Sequence, residues 1–360
     1  SKTIPAYFNM ADSNSESDQE SECESEEIDQ AGSSKVPSAN DARLGAIALV
    51  FAILIFSSNG VAYKRLFTHD PTLFNPCNVL CGSSLIGLVT LTPVYYKDLT
   101  LANMKAITRT QWVALIFGTI CYSALGPLLY LLALQSITIA SAAILNRLES
   151  LEFLVLAVFY LGEKVDAWSL TNSVLTFVGI LVALLSPPLF GMPLEFNTGF
   201  MFMIFSGFFY AASLFVTKKW LSKIPTGILA ILRVGMGTLI YHATVLLRGG
   251  RTGLWDLYRR EYWEQIWWYA LLYVSVAQTV WLIALSKADS TMISVGTTTQ
   301  FVLSLIWAML LLNSFPTGPQ WLGSAFIIAS IVSSITRTIK IAQAGGPDAI
   351  DEPDESEEDL

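Results

Sequence analysis

Residues 44–67 read LGAIALVFAILIFSSNGVAYKRLF, and residues 198–221 read TGFMFMIFSGFFYAASLFVTKKWL. Each is long and apolar enough to cross a bilayer as a helix, for which about 20 residues suffice. Laid together at an offset of 154, Gly45 meets Gly199, Asn59 meets Ser213, and Lys64-Arg65 meets Lys218-Lys219. A second pair matches further on: ALQSITIASAAILNRLESLEF from Ala133 lies beside ALSKADSTMISVGTTTQFVLS from Ala284, at an offset of 151. The identities are few, but lengths, basic ends and loop spacing repeat, and the chain reads as a duplication.

Apolar runs of spanning length cover roughly 44–63, 73–96, 111–133, 138–160, 167–188, 198–217, 226–248, 265–286, 290–312 and 319–337. Backbone groups in lipid must be satisfied within each run, so these read as helices. Five spans per copy is an odd number, so the second copy must enter the bilayer from the opposite face. The expected fold is therefore an all-α polytopic membrane protein of ten transmembrane helices. They form two inverted five-helix repeats, 43–189 and 190–340, between disordered acidic tails at 1–42 and 341–360. Inverted repeats of this kind are typical of secondary transporters.

Composition agrees: 53% of residues are hydrophobic, 14% are charged, and mean hydropathy is positive, at +0.53. The net charge of −8 conceals a division. The tails carry 18 of the acids, leaving a basic body with 11 acids and 19 bases. Eleven bases fall on the amino-terminal side of the spans and six on the other, so both termini are expected in the cytosol. Opposing this, a four-Arg loop is expected between the seventh and eighth spans. Which membrane holds the protein, plasma membrane or endomembrane, stays open. Cys23, Cys77, Cys81 and Cys121 form neither a metal spacing nor a disulfide framework. The first span is expected to serve as the insertion signal, with no cleavable leader before it; the chain begins with Ser, and whether that end is native stays open.

The segment 11–29, ADSNSESDQESECESEEID, holds too few apolar groups to repay its ordering entropy. Ser13, Ser15, Ser17, Ser21 and Ser356 each precede an acid by three residues, as acidophilic kinases favour. A solvated tail is the plainer reading; a docking arm for kinases or sorting factors is the sharper one.

Chemistry is expected in the fourth span, where Arg147, Glu149 and Glu152 lie near the centre. A charge there costs about 2.5–3.5 kcal/mol on insertion scales, so these groups should face the bundle interior. Helical spacing places Ala142, Asn146, Glu149 and Glu152 on one stripe. The repeat puts Thr297 and Gln300 of the ninth span opposite Asn146 and Glu149, giving two polar stripes expected to meet at a midplane site. Glu149 has three candidate roles: a proton carrier, a hydrogen-bonding partner of the substrate, or an ion-pair partner of Arg147 or Arg233. Arg233 suits an anionic substrate group or a pair with Glu149 or Glu152. Asn59, Tyr130 and Gln278, with Trp281 one turn beyond, are further candidates for substrate binding. Interhelical hydrogen bonding is the plainer reading of Asn59, Tyr130 and Gln278. Gly126-Pro127 should bend the third span. His242 reads as a packing residue, and Trp263, Trp267, Trp268 and Tyr269 as an interfacial belt. There is no phosphate loop, hydrolase elbow or metal-spaced set, and the chain holds two His. No enzyme, cofactor or nucleic-acid role is expected.

The five-plus-five arrangement, the Leu-Gly-Glu-Lys at 161–164, NSVLTFVG at 172–179 and GSAFIIAS at 323–330 together resemble the EamA-like branch of the drug/metabolite transporter superfamily. The resemblance covers about 44–337. It implies a ten-helix carrier whose central cavity is lined mainly by spans one, three, four, six, eight and nine, with Glu163 structural at a helix end. Two positions depart from the family pattern: Ser150 replaces a frequent proline, and Asn313-Ser314 stand where the second copy would have Gly-Glu. Superfamily members move nucleotide sugars, phosphorylated sugars, amino acids and other metabolites, so the resemblance selects no cargo.

The expected function is a secondary carrier of a small polar or amphipathic organic solute, working by alternating access. Proton coupling, exchange against a counter-solute, and a monomeric or homodimeric state all stay open. The alternatives are a non-transporting scaffold or sensor that uses its tails, and a channel, which would need a continuous polar lining.

Overall fold

The computed structural model describes residues 39–161, 167–185, 197–221, 224–287 and 290–344; the acidic tails up to residue 38 and from 345, with their serines, and Glu163 lie outside these. The described residues are helical throughout, apart from turns and short links. Helix α1 is Ala39–His69, α2 Pro76–Tyr95, α3 Arg109–Ser136, α5 Ala167–Leu185, α6 Thr198–Trp220, α7 Thr226–Tyr258, α9 Ser290–Leu312 and α10 Gly318–Ala344. Helix α4 comes in two pieces, Ile139–Leu145 and Leu148–Leu156. Helix α8 runs through Arg260–Tyr269, a π-helical stretch Ala270–Val276, and Ala277–Lys287.

Each expected span falls on one of these helices. Leu44–His69, Pro76–Tyr95, Arg109–Ser136, Thr198–Thr217 and Thr226–Leu247 are long and apolar enough to cross a membrane, with mean hydropathy from 1.5 to 2.1. Leu170–Leu184 and Thr299–Leu312 are shorter apolar stretches. The protein is thus an integral, multi-pass membrane protein. Two boundaries differ from the expectation. The four-Arg loop does not form: α7 continues to Tyr258 and α8 begins two residues later. There Arg259 and Arg260 bind Glu261 and Glu264 at the exposed helix start. Helix α10 also runs on to Ala344, its TIKIAQA sequence offering good helix formers and no break.

Local chemistry sets the helix ends. Asn75 caps α2 by accepting from the Asn78 N–H at 3.0 Å, with Pro76 as first helical residue. Thr108 and Gln111 close a reciprocal capping box at the start of α3. Helix α9 ends at Asn313, whose φ of 50° is left-handed. Glycine and asparagine tolerate that conformation best. The departure from Gly at this repeat position therefore keeps the same kind of helix stop.

The packing interchanges the two halves. Helix α1 lies against α8 and α9, while α6 lies against α3 and α4; α2 pairs with α7, and α5 with α10. Individual contacts interchange too. A β-carbon on Gly87 of α2 would meet Val274 of α8 at 2.5 Å, and one on Gly237 of α7 would meet Ser123 of α3 at 3.3 Å. Gly87 and Gly237 are equivalent at an offset of 150, as are Ser123 and Val274 at 151. At the α5–α10 contact, Gly179 faces the Gly323 backbone, where a side chain on either would collide. The same contact carries Thr176–Ser330 and Ser330–Asn172 hydrogen bonds of 2.9 and 2.7 Å.

Candidate functional site

Helices α3 and α8 shape the interior. In α3, Pro127 lacks the N–H that an α-helix would aim at the Ser123 carbonyl, and residues Ile120–Leu125 widen into a π-helical stretch. Neighbouring helices engage the carbonyls along this bend: Tyr241 donates to Ala124 at 2.7 Å, Ser206 to Gly126 at 2.8 Å and Ser213 to Gly118 at 2.8 Å. Helix α8 has its own π stretch at Ala270–Val276, the equivalent place at an offset of 151.

Between these two helices and α1, α2, α6 and α7 lies a cavity of about 180 Å³. Its walls come largely from equivalent positions. Phe56 of α1 faces it with Tyr210 of α6, Ser83 of α2 with Arg233 of α7, Tyr122 with Tyr273, and Pro127 with Gln278. Tyr241 and Tyr269 complete the lining, so five phenols surround the space. The positions correspond but the chemistry differs: one half presents Ser83 and Pro127 where the other presents Arg233 and Gln278.

Three of the phenols are committed. Tyr241 donates to Ala124 as above, Tyr269 donates to Asn59 Oδ1 at 2.7 Å, and Tyr273 shares a 2.8 Å bond with Ser58. The Arg233 guanidinium lies 4.2 Å from the Tyr122 ring centroid and donates to Thr217 at 2.8 Å and Ser213 at 3.5 Å. Its Nε is buried without a hydrogen-bond partner. Among the described residues, no carboxylate lines the cavity.

A second, smaller cavity of about 40 Å³ adjoins at Phe56, between α1, α3, α4 and α9. Tyr130, Asn146, Arg147, Gln300 and Ser304 line it. Helix α4 breaks here: the Arg147 N–H bonds to Ile144 at 3.1 Å, a three-residue reach, before helix resumes at Leu148. The Arg147 guanidinium lies 5.3 Å from the Phe301 ring centroid. The volume suits one or a few waters rather than an organic solute.

The candidate residues thus fall into three groups. Asn59, Arg233 and Gln278 line the larger cavity; Tyr130, Asn146, Arg147 and Gln300 line the smaller. Trp281 stands one layer back, edge-on to Phe56 at 6.3 Å between ring centroids, within a cluster containing Leu49 and Ile53. Thr297 lies on α9 with its side chain outside the described residues. Glu149 and Glu152 line neither cavity. They are half-buried on α4 against Gly207 of α6, where a β-carbon would come within 2.7 Å of Glu152 Oε2, an oxygen buried without a hydrogen bond. Glu149 is in electrostatic reach of Arg147 and Tyr210. Arg233 bonds to α6 hydroxyls, and no ion pair links it to Glu149 or Glu152.

Two assignments change. Tyr269 is buried, donates to Asn59 and lines the cavity rather than facing a belt. Helices α2 and α7 join α1, α3, α6 and α8 around the larger cavity, while α4 and α9 reach the smaller one. His242 behaves as packing: Nδ1 sits 2.8 Å from the Thr238 carbonyl and 3.3 Å from Cys81 Sγ. The tyrosine lining went unnoticed in the sequence, although Tyr122 and Tyr273 share the offset of 151.

The EamA-like transporter family model matches residues 43–185 and again 197–336. "Uncharacterized transporter sll1164" of Synechocystis sp. (strain ATCC 27184 / PCC 6803 / Kazusa) is 26% identical over 308 residues, covering 82% of this chain and 88% of that protein. A solved structure described as "Crystal structure of protein" superposes with a TM-score of 0.53 at 15% identity, covering 81% of this chain and 96% of that one, a likeness of fold alone.

Proposed function

Since the chain belongs to the EamA-like transporter family, we propose that it is a secondary carrier moving a small organic solute through the tyrosine-lined cavity by alternating access. In this reading the halves 43–189 and 190–340 are inverted copies, both termini face the cytosol, and rocking of one half against the other opens the cavity to each side in turn. The observation that carries it is the interchange of contacts around the cavity: Asn59 with Tyr269 in one place, Ser213 with Gly118 in the equivalent place. Walls built from equivalent positions can exchange roles, so the outward-open arrangement of one half becomes the inward-open arrangement of the other. Asn59, Gln278 and Arg233 bind solute in this reading. The Asn146–Arg147 break in α4, beside Gln300, gives that helix a joint for the motion, and Glu149 is the coupling group.

The test is counterflow in proteoliposomes. Vesicles preloaded with unlabelled metabolites are expected to accumulate labelled solute transiently, as a carrier requires; stepwise single-channel currents, or no movement of any solute, would refute the reading. Glu149→Gln is expected to abolish uptake driven by a proton gradient while counterflow continues. Unchanged response to external pH would remove Glu149 from the coupling role.

A further inference from the structure

We infer that the solute is an organic anion, a carboxylate or phosphate monoester without an ammonium group, whose charged end is taken by Arg233. This rests on the carrier reading and specifies its substrate. The argument is one of charge and hydrogen-bond supply. Arg233 brings a fixed positive charge to a cavity that, among the described residues, has no carboxylate in its lining. Arg233 forms no ion pair with Glu149 or Glu152, and its near partners are hydroxyls and a phenol ring. A buried cation is costly until a counter-charge arrives. The hydroxyls of Thr217 and Ser213 and the ring of Tyr122 orient the guanidinium without neutralising it. Its Nε remains a buried, unused donor, and a planar fork of this kind suits a carboxylate or phosphate.

The remaining lining extends the same preference. Asn59 Oδ1 already accepts from Tyr269, and the same amide brings two N–H donors to the lining. The Tyr122 and Tyr210 hydroxyls have no hydrogen-bond partner among the described residues. Such a wall offers several donors and, among the described residues, no anionic acceptor. An anion is matched by it; an ammonium ion would meet the Arg233 charge with nothing opposite. The phenol rings then hold an apolar or aromatic body.

The experiment measures thermal stabilisation of the purified full chain in detergent by matched sets with the same body and an anionic, neutral or cationic end. These are 3-phenylpropionate, 3-phenylpropanamide and 3-phenylpropylamine, with butyrate, butyramide and butylamine as aliphatic counterparts and phenyl phosphate as the phosphate arm. Ligands that prefer the folded state raise its apparent stability. The expected result is that an anion stabilises at concentrations at least about tenfold below its amide and amine. Arg233→Gln should erase the difference and Arg233→Lys should retain part of it. An equal or stronger effect of the amide or amine, or no effect of any compound, overturns the assignment. Should Arg233→Gln fail to fold, the ranking on the unaltered protein still decides. Counterflow of the best ligand separates the two readings. Movement of a neutral or cationic compound with no anion preference sinks the anion and keeps the carrier, whereas absence of all movement sinks both.

Discussion

Helices α3 and α8 occupy equivalent places, share bounds at a shift of 151, and both widen into π-helical stretches beside the cavity, yet only one has a local cause. Helix α3 contains Gly126-Pro127, which explains a lost ladder bond. Helix α8, from Arg260 to Lys287, contains neither glycine nor proline. Its widened stretch is held instead by contacts outside the helix: Ser275 hydrogen-bonds Thr90 of α2, and Tyr273 bonds Ser58 of α1. A shape that persists without its local cause belongs to the packing around the cavity. The proline in α3 is one way of obtaining that shape.

The largest effect that would break this comparison comes from moving proline into α8. Gln278 is the counterpart of Pro127, so Gln278→Pro is expected to fold, whereas Thr279→Pro, one residue on, should cost about 3 kcal/mol or more. Thermal unfolding in detergent reads the difference, and equal destabilisation would show that the helices are not equivalent at this bend. The two tyrosines of the π stretches sharpen the comparison further. Tyr122→Ala removes the ring over Arg233 and is expected to weaken solute affinity about tenfold, within the range for a partly desolvated cation–π contact. Tyr273→Phe loses only the Ser58 hydrogen bond, about 1 kcal/mol, and should weaken affinity no more than about fivefold. Concentration dependence of uptake measures both. The smallest effect is expected from Pro127→Ala. If packing holds the π stretch, stability should shift by about 1 kcal/mol or less and uptake should stay within about threefold.

Much of the architecture could be read before any coordinates, because membrane burial imposes long apolar runs and duplication imposes a constant offset. Lys64-Arg65 against Lys218-Lys219 and Ala133 against Ala284 located the repeat. The cavity was less legible. The polar stripe around Glu149 drew attention because charge at membrane depth is conspicuous, yet Glu149 and Glu152 pack against Gly207 and line neither cavity. Tyrosine is ambiguous in sequence, being equally at home at an interface, in a core and against a ligand. Tyr269 therefore reads as a belt residue, and Tyr122, Tyr210, Tyr241 and Tyr273 carry no sequence signal that singles them out. Tyr122, Tyr269 and Tyr273 reach the cavity from α3 and α8, and Tyr210 and Tyr241 from α6 and α7, a convergence of four helices that no single stretch of sequence displays.

Five phenols around one small void make the protein its own optical gauge. The near-ultraviolet absorption of a phenol shifts with the polarity of its surroundings, so arrival of an occupant should register in a difference spectrum without any dye or isotope. Tyr122 and Tyr210, whose hydroxyls are uncommitted, would contribute most to that change, and their replacement by phenylalanine would show which wall the newcomer touches.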